Sequence, residues 1–305
     1  MTHLTIITSV LNGEPYIGAM LASVPRHHAV EHIAIDAGST DGSLACLRAA
    51  PGVRLIEAPG LSLYAAWNLG IERAEGDAIV FLNADDLLPS GALDAWLDGL
   101  SACPEAEILL GCAEAFRQAN DEEPVAVVRY AAPSVIGLDL PVLALGAPVI
   151  NAKAMRRTLF DRFGGFDTRY RFAADREFLL RMMLIGPPPR LAVLGAPVYR
   201  YRIHDGSMTF AMSRRRRIEI ASEHRRIARN FARRPGIARE ARHVLHAWLA
   251  RETAVQAVTS VMANDLHSAS SACLSVATDL AGTITGLWRA RRLRRAYVSA
   301  LAGPS

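Results

Sequence analysis

The stretch Gly76-Asp-Ala-Ile-Val-Phe-Leu-Asn-Ala-Asp-Asp-Leu-Leu88 decides the fold. Ala78 to Leu82 is continuously apolar and rich in strand formers, the pattern of a strand covered on both faces in a parallel sheet. The run stops in a polar, acidic turn, so Asn83, Asp85 and Asp86 stand beyond the strand's carboxyl end, where open α/β sheets collect their ligands. Oxygen donors placed there suit a hard divalent cation, Mg²⁺ or Mn²⁺, able to neutralise a diphosphate. An isolated Asn-x-Asp-Asp serves equally well as a solvated Asx turn, so the neighbouring segments have to decide.

On the N-terminal side, strands and helices alternate. Leu4 to Leu11 is a β-branched run stopped by Asn12-Gly-Glu-Pro15, and Ile17, Met20, Leu21 and Val24 recur at helical spacing. A second strand over 31–35 breaks at Asp36-Ala-Gly-Ser-Thr-Asp-Gly42, and a helix follows over 43–50. A third strand over 53–57 and a helix over 63–74 lead back to the acidic strand. This order predicts a parallel sheet built from right-handed crossovers. The turns after strands one, two and four then share one sheet edge.

Beyond Leu88 the sequence predicts a helix capped by Pro89-Ser90 and running to about Leu100, then a hairpin of strands over 107–116 and 124–130 with its polar tip at 118–123. Val149 to Met155 is a short apolar run, and Phe160 to Tyr170 reads as a Gly-rich aromatic loop. Asp175 opens a helix to Leu184, either as its N-cap or as a functional carboxylate. Short strands over 190–194 and 198–201 precede a loop at His204-Asp-Gly-Ser207. From Ser213 the chain is helical, with Pro235-Gly236 dividing two helices and an Arg-studded helix over 288–298 at the end.

A chain of 305 residues with 51% apolar and 21% charged residues is folded, and large enough for about two domains. The boundary falls at the charge split, giving a domain over 1–212 and a basic helical extension over 213–305. The extension holds 17 arginines, no lysine and six acidic residues, a net +11, which leaves −7 for residues 1–212 out of the whole-chain +4. Such asymmetry points to an anionic partner. Arg-rich faces with apolar backs suit an anionic membrane surface, whereas no nucleic-acid-binding motif or aromatic interleaving accompanies them. No apolar run is long enough to span a bilayer. The four cysteines are scattered, with no Cys-x-x-Cys pair and no secretory signal, so the expected compartment is the cytoplasm, peripheral on the inner face of the plasma membrane. The C-terminal helices are also candidates for homo-oligomerisation.

With these segments placed, the chain resembles the family 2 glycosyltransferases, inverting enzymes with the nucleotide-sugar-binding fold called GT-A. The residues carrying the resemblance are Thr8 to Gly13, Ile35 to Gly42, Asn68-Leu-Gly-Ile71 with Gly76-Asp77, and Phe81-Leu-Asn-Ala-Asp-Asp86. A second block, Gly164-Gly-Phe-Asp167 through Ala174 to Arg181, is similar to the family's acceptor-side segment. The resemblance implies an α/β GT-A fold and transfer of a sugar from a nucleotide-sugar, a UDP-sugar, to a glycan or lipid-linked acceptor hydroxyl. It implies donor contacts at Thr8, Leu11, Asn12, Asp36, Asn68, Asn83 and Asp85, a divalent cation (Mn²⁺ or Mg²⁺) at Asp85 and His204, and Asp175 as general base. The first acidic position of the family's D-x-D motif is Asn83 here, and the second acidic position of the loop after strand two is Ala37. The competing reading is a nucleotide-sugar-like domain without catalysis, serving as a membrane-surface or interaction module.

Overall fold

A computed structural model describes residues 2–118, 125–131, 136–207, 213–263 and 280–302, together with residues 265, 268, 270, 272 and 274. The first half runs β1 (Leu4–Val10), α1 (Glu14–Ala22), β2 (Val30–Asp36), α2 (Ser43–Ala49), β3 (Val53–Glu57), α3 (Leu63–Arg73) and β4 (Ala78–Phe81). These strands pair in parallel in the order β3-β2-β1-β4, and β4, the predicted acidic strand, is buried along its length. Continuous burial explains why its residues do not alternate in polarity.

Past β4 the sheet becomes mixed. After α4 (Ala92–Ala102) come β5 (Ile108–Arg117), β6 (Val125–Tyr130), α5 (Leu140–Leu145), β7 (Lys153–Arg156), α6 (Thr158–Phe163), α7 (Ala174–Leu184) and β8 (Leu191–Arg202). β7 inserts antiparallel between β4 and β5, β6 pairs antiparallel with β5, and β8 runs parallel along β5's other edge. The parallel order read from the alternating strands and helices holds for β1 to β4, and the expected hairpin over 107–130 is the antiparallel pair β5–β6.

Four local expectations are corrected. Helix α4 starts on Gly91 in the left-handed region (φ 77°), with no side-chain cap, so Ser90 does not cap it. The two short strands expected over 190–201 are one strand, β8, whose register against β5 shifts around Cys112, taking Gly195 to Pro197 into the irregularity. Helix α6 occupies the first part of the expected Phe160–Tyr170 loop. A 3-10 turn over Ile150–Ala152 opens the apolar run before β7. The hairpin tip at 119–123 lies outside the described residues.

The C-terminal helices α8 (Arg214–Arg233), α9 (Arg239–Met262) and α10 (Leu280–Ala302) pack on the face that carries α3, α5 and α7. One apolar cluster runs from Ile7 and Phe81 of the sheet through Phe178 and Leu179 of α7 to Phe231, Trp248 and Ala290. Phe166 sits at its centre, with ring centroids 5.0–5.6 Å from those of Tyr64, Trp67, Phe81 and Phe178. Burying such a ring stabilises the fold by about 3 kcal/mol. It also ties the Gly164–Asp167 loop to the strand bearing the acidic turn.

Candidate active site

The first two turns of the rim are laced together. Asn12, in the left-handed region at φ 54°, accepts from the Thr40 N–H at 2.8 Å and donates its own N–H to Ser39 Oγ at 3.0 Å. Gly13 N–H donates to Ser43 Oγ at 2.8 Å. Asp36 is buried and takes the Ser39 N–H on both carboxylate oxygens at 3.0 Å, leaving lone pairs for a base or ribose. Leu11 is exposed beside them, an apolar edge for a planar base.

Thr8 and Asn68 do not take the places expected of them. Thr8 is fully buried in the sheet with its hydroxyl 3.0 Å from His32 Nε2, below the rim. Asn68 donates to the Phe166 carbonyl at 2.9 Å and accepts the Phe166 N–H at 2.8 Å, so its amide is a strut between α3 and the Gly164–Asp167 loop. A Cβ on Gly165 would come within 2.5 Å of that amide oxygen, which accounts for the second glycine.

The acidic turn is anchored from β8. Leu87 and Arg200 exchange backbone hydrogen bonds at 3.0 and 2.9 Å. Asp86 is buried and accepts from the Tyr199 hydroxyl at 2.7 Å, the Arg202 N–H at 2.8 Å and the Asn83 amide at 2.9 Å. Burial, reinforced by the Asp85 charge, pushes the Asp86 carboxyl up to about 8 against the pull of those three donors. Asn83 is thus absorbed into holding Asp86, and its N–H also donates to Tyr199 Oη at 3.1 Å. Asp85 is the carboxylate left facing outward.

Asp85 Oδ2 lies 2.8 Å from His204 Nε2, with the two side chains 32% and 19% exposed. The Gly206 N–H donates to His204 Nδ1 at 3.2 Å, so Nε2 carries the proton toward Asp85 in this tautomer and must release it before that nitrogen can ligate a cation. The ring also sits 4.5 Å from that of Tyr16. A carboxylate and an imidazole brought together beyond the carboxyl end of β4 are ligand types that fit a divalent cation. No group of three or more His, Cys, Asp or Glu able to hold a metal occurs among the described residues.

Asp175 is not an N-cap. The cap residue of α7 is Ala173, with no side-chain cap bond, and Asp175 stands in the first turn with Oδ1 accepting the Tyr64 hydroxyl at 3.0 Å. Burial and the Asp175 charge hold the Tyr64 phenol well above its ordinary range, so it remains a donor. Burial chiefly, with the charges of Asp86 and Asp175 added, holds the Tyr201 phenol well above its ordinary range. Its hydroxyl is 3.3 Å from Asn151 Oδ1, and the Asn151 amide donates to the Phe81 carbonyl at the end of β4 at 3.0 Å. Beneath them Lys153 is fully buried, donating to the carbonyls of Pro148 and Val149 at 2.8 and 3.0 Å. Burial lowers its amine to about 7, against the pull of Asp175.

Lys153, Asn151, Tyr199 and Tyr201 are buried or hydrogen-bonded behind the acidic turn and the end of β4, and the motifs do not mark them. A lysine inside an apolar strand run, and tyrosines at i and i+2 on one face of a strand, are the signals that were there to be read.

Residues 5–124 match the family model "Glycosyl transferase family 2". This stretch is a family 2 glycosyltransferase domain. Over 164 residues the chain is 31% identical to uncharacterized glycosyltransferases of two Mycobacterium tuberculosis strains, covering 52% of this chain and 59% of theirs. It is 33% identical over 105 residues to an uncharacterized glycosyltransferase of Haemophilus influenzae, covering 32% of this chain and 42% of that one. The chain thus spans about half the length of the curated relatives it matches. Staphylococcus aureus TarS 1-349 in complex with UDP-GlcNAc superposes with a TM-score of 0.55 at 17% identity, over 90% of this chain and 92% of that one. The mannosyltransferase PcManGT of Pyrobaculum calidifontis, in complex with GDP-Man and Mn²⁺, gives 0.54 at 19% identity, over 95% and 87%. The family 2 domain here has the GT-A fold.

Proposed function

We propose that this chain transfers a sugar from a nucleotide-sugar, a UDP-sugar, to an acceptor hydroxyl with inversion at the anomeric carbon. What supports the reading is a carboxylate–imidazole pair beyond the end of β4 together with a second carboxylate, on α7, that is not spent on capping its helix. Asp85 pairs with His204 beyond β4, and Asp175, on α7, accepts the hydroxyl of Tyr64 from α3. The asparagine and aspartate rim of β1 and β2 takes the nucleoside. Asp85 and His204 would hold a divalent cation, which when bound supplies charge neutralisation at the diphosphate. Asp175 accepts the acceptor hydroxyl's proton as that oxygen attacks from the face opposite the leaving diphosphate. A UDP-GlcNAc complex of TarS and a GDP-Man and Mn²⁺ complex of PcManGT, on the same fold, support a nucleotide-sugar and a cation.

The acceptor is a glycan or lipid-linked hydroxyl met at an anionic membrane surface. Supporting this, Ile284, Trp288, Arg291 and Arg295 line one outer stripe of α10 at helical spacing, Ile284 and Trp288 being 58% and 64% exposed, while Gly286 and Ala290 face inward. No helix among the described residues is long and apolar enough to cross a membrane.

Calorimetry with UDP, with and without Mn²⁺, tests the donor side. Asp85→Ala is expected to weaken Mn²⁺-dependent UDP binding by about 10-fold or more, while Asn83→Ala costs less because no charge is removed. Equal, metal-independent UDP binding by wild type and Asp85→Ala rejects the assignment.

A further inference from the structure

The N-terminus of α7 lacks a cap from its own neighbourhood, and its missing partner comes from the C-terminal helices. Glu223, on α8, accepts the N–H of Arg171 at 2.7 Å on one carboxylate oxygen, and those of Phe172 and Ala173 at 2.9 and 3.0 Å on the other. Three consecutive backbone donors converge on one side chain some fifty residues away. Ala173 is the cap residue, and Asp175 follows two positions later. The Tyr64 hydroxyl bridges the same elements, 3.1 Å from the Phe172 carbonyl and 3.0 Å from Asp175 Oδ1. Further contacts fix the segment from the same side. Arg226 donates to the Arg169 carbonyl at 2.7 Å and stacks 4.4 Å over Tyr170, whose hydroxyl takes the Asn230 amide at 3.3 Å.

We propose that Glu223 is a positioning residue for transfer, fixing the Arg171–Ala173 backbone so that Asp175 meets the acceptor hydroxyl. The inference rests on the reading of Asp175 as general base. A carboxylate at a helix N-terminus is favoured by the helix dipole and by charged hydrogen bonds to unpaired N–H groups. Glu223 supplies that carboxylate from outside the helix, which frees Asp175 from capping. Without it, the three N–H groups lose their shared acceptor, and the segment leading into Asp175 loses its anchor. The extension from Ser213 is in this way part of the acceptor-side machinery.

The test uses the full chain, comparing wild type, Glu223→Gln, Asp175→Asn and the double variant in turnover of the UDP-sugar and acceptor pair that the wild type uses. Glu223→Gln keeps the shape but turns an NH₂ group toward a backbone N–H. Its kcat is expected to fall between about 10-fold and 10²-fold, the scale of an ångström's misplacement, with donor KM and Mn²⁺-dependent UDP binding unchanged. Amide exchange at 171–173 is expected to accelerate while the sheet amides stay protected. Adding Glu223→Gln to Asp175→Asn is expected to cost nothing more, because the base it positions is already gone. Wild-type kcat in Glu223→Gln beside an inactive Asp175→Asn overturns the inference and leaves the base intact. An active Asp175→Asn overturns the base reading itself. A fall in UDP binding parallel to kcat makes Glu223 a general fold contact and also overturns the proposal. Should Glu223→Gln not fold, Glu223→Asp, which retracts the carboxylate by one methylene, reads the same contact, and unchanged kcat there is likewise a refutation.

Discussion

Replacing Asp175 by Asn separates catalysis from structure because this side chain is not a cap. The N–H groups of the cap residue Ala173 and of Phe172 before it go to Glu223, and the side-chain hydrogen bond of Asp175 among the described residues, from Tyr64 at 3.0 Å, is made to Oδ1, which Asn retains. The stability at stake is then the interaction of a first-turn carboxylate with the helix dipole, about 0.3–1 kcal/mol. In a chain of this size that is a fall of about 4 °C or less in melting temperature. The chemical loss is of another order. A positioned base contributes roughly 10² to 10⁴ in rate, or about 3–5.5 kcal/mol at ~1.36 kcal/mol per decade. UDP release with acceptor present gives the turnover, calorimetry gives UDP affinity, and a thermal melt gives stability, all on one preparation. The expected result is kcat down by at least two decades with UDP affinity and melting temperature nearly unchanged. Turnover near the wild-type rate refutes the reasoning, as does a melting temperature lowered enough to account for the lost activity.

Two further outcomes follow from the acidic turn and from α10. The Asp86 carboxyl is raised from 3.8 to about 8, so between roughly pH 4 and 8 the folded chain holds a proton that the unfolded chain has released, and its contribution to stability is lost as pH rises through that window. Asp86→Asn does not titrate, so urea denaturation should show it gaining on wild type between pH 5 and pH 8, and parallel pH profiles would contradict the raised carboxyl. On α10, replacing Trp288 by Ala together with Arg291 and Arg295 by Gln should reduce co-sedimentation with anionic liposomes, and wild-type binding should weaken as salt shortens the Debye length below about 8 Å. Equal recovery of wild type on neutral and anionic vesicles would instead make the stripe a face for packing or self-association.

The legible parts of this molecule are those in which local chemistry and long-range role coincide. β1 to β4 are readable because burial on both faces of a parallel sheet demands unbroken apolar runs, and each run ends in turn residues that lie on one edge. Asp85 is readable for the same reason, as an acid at the end of a buried strand. What Asn83 and Asp86 do is not, since adjacent acidic-turn residues look alike until Tyr199 and the Arg202 N–H arrive from β8, more than a hundred positions away, and take Asp86 out of solvent. Asn68 and Thr8 mislead in the opposite direction. A polar side chain at a motif position can be fully spent on a backbone strut or on a buried partner such as His32.

The basic extension shows why charge arithmetic alone cannot set a boundary. Its +11 is carried by arginines, two of which bond backbone carbonyls of residues 1–212: Arg226 to that of Arg169 and Arg216 to that of Ser207. Its apolar faces join the cluster that contains Phe81 and Phe178. Removing the extension would therefore strip cover from α5 and α7, as well as removing a surface. The proposed site would draw its cation pair from the end of β4 and the loop after β8, and its base from α7, whose start is bonded by Tyr64 of α3 and Glu223 of α8. Its geometry depends on whether those five elements stay packed on one core. A perturbation of that core far from any ligand, at Phe166 for instance, should thus move the base and the acidic turn together, where a substitution at either carboxylate moves only one.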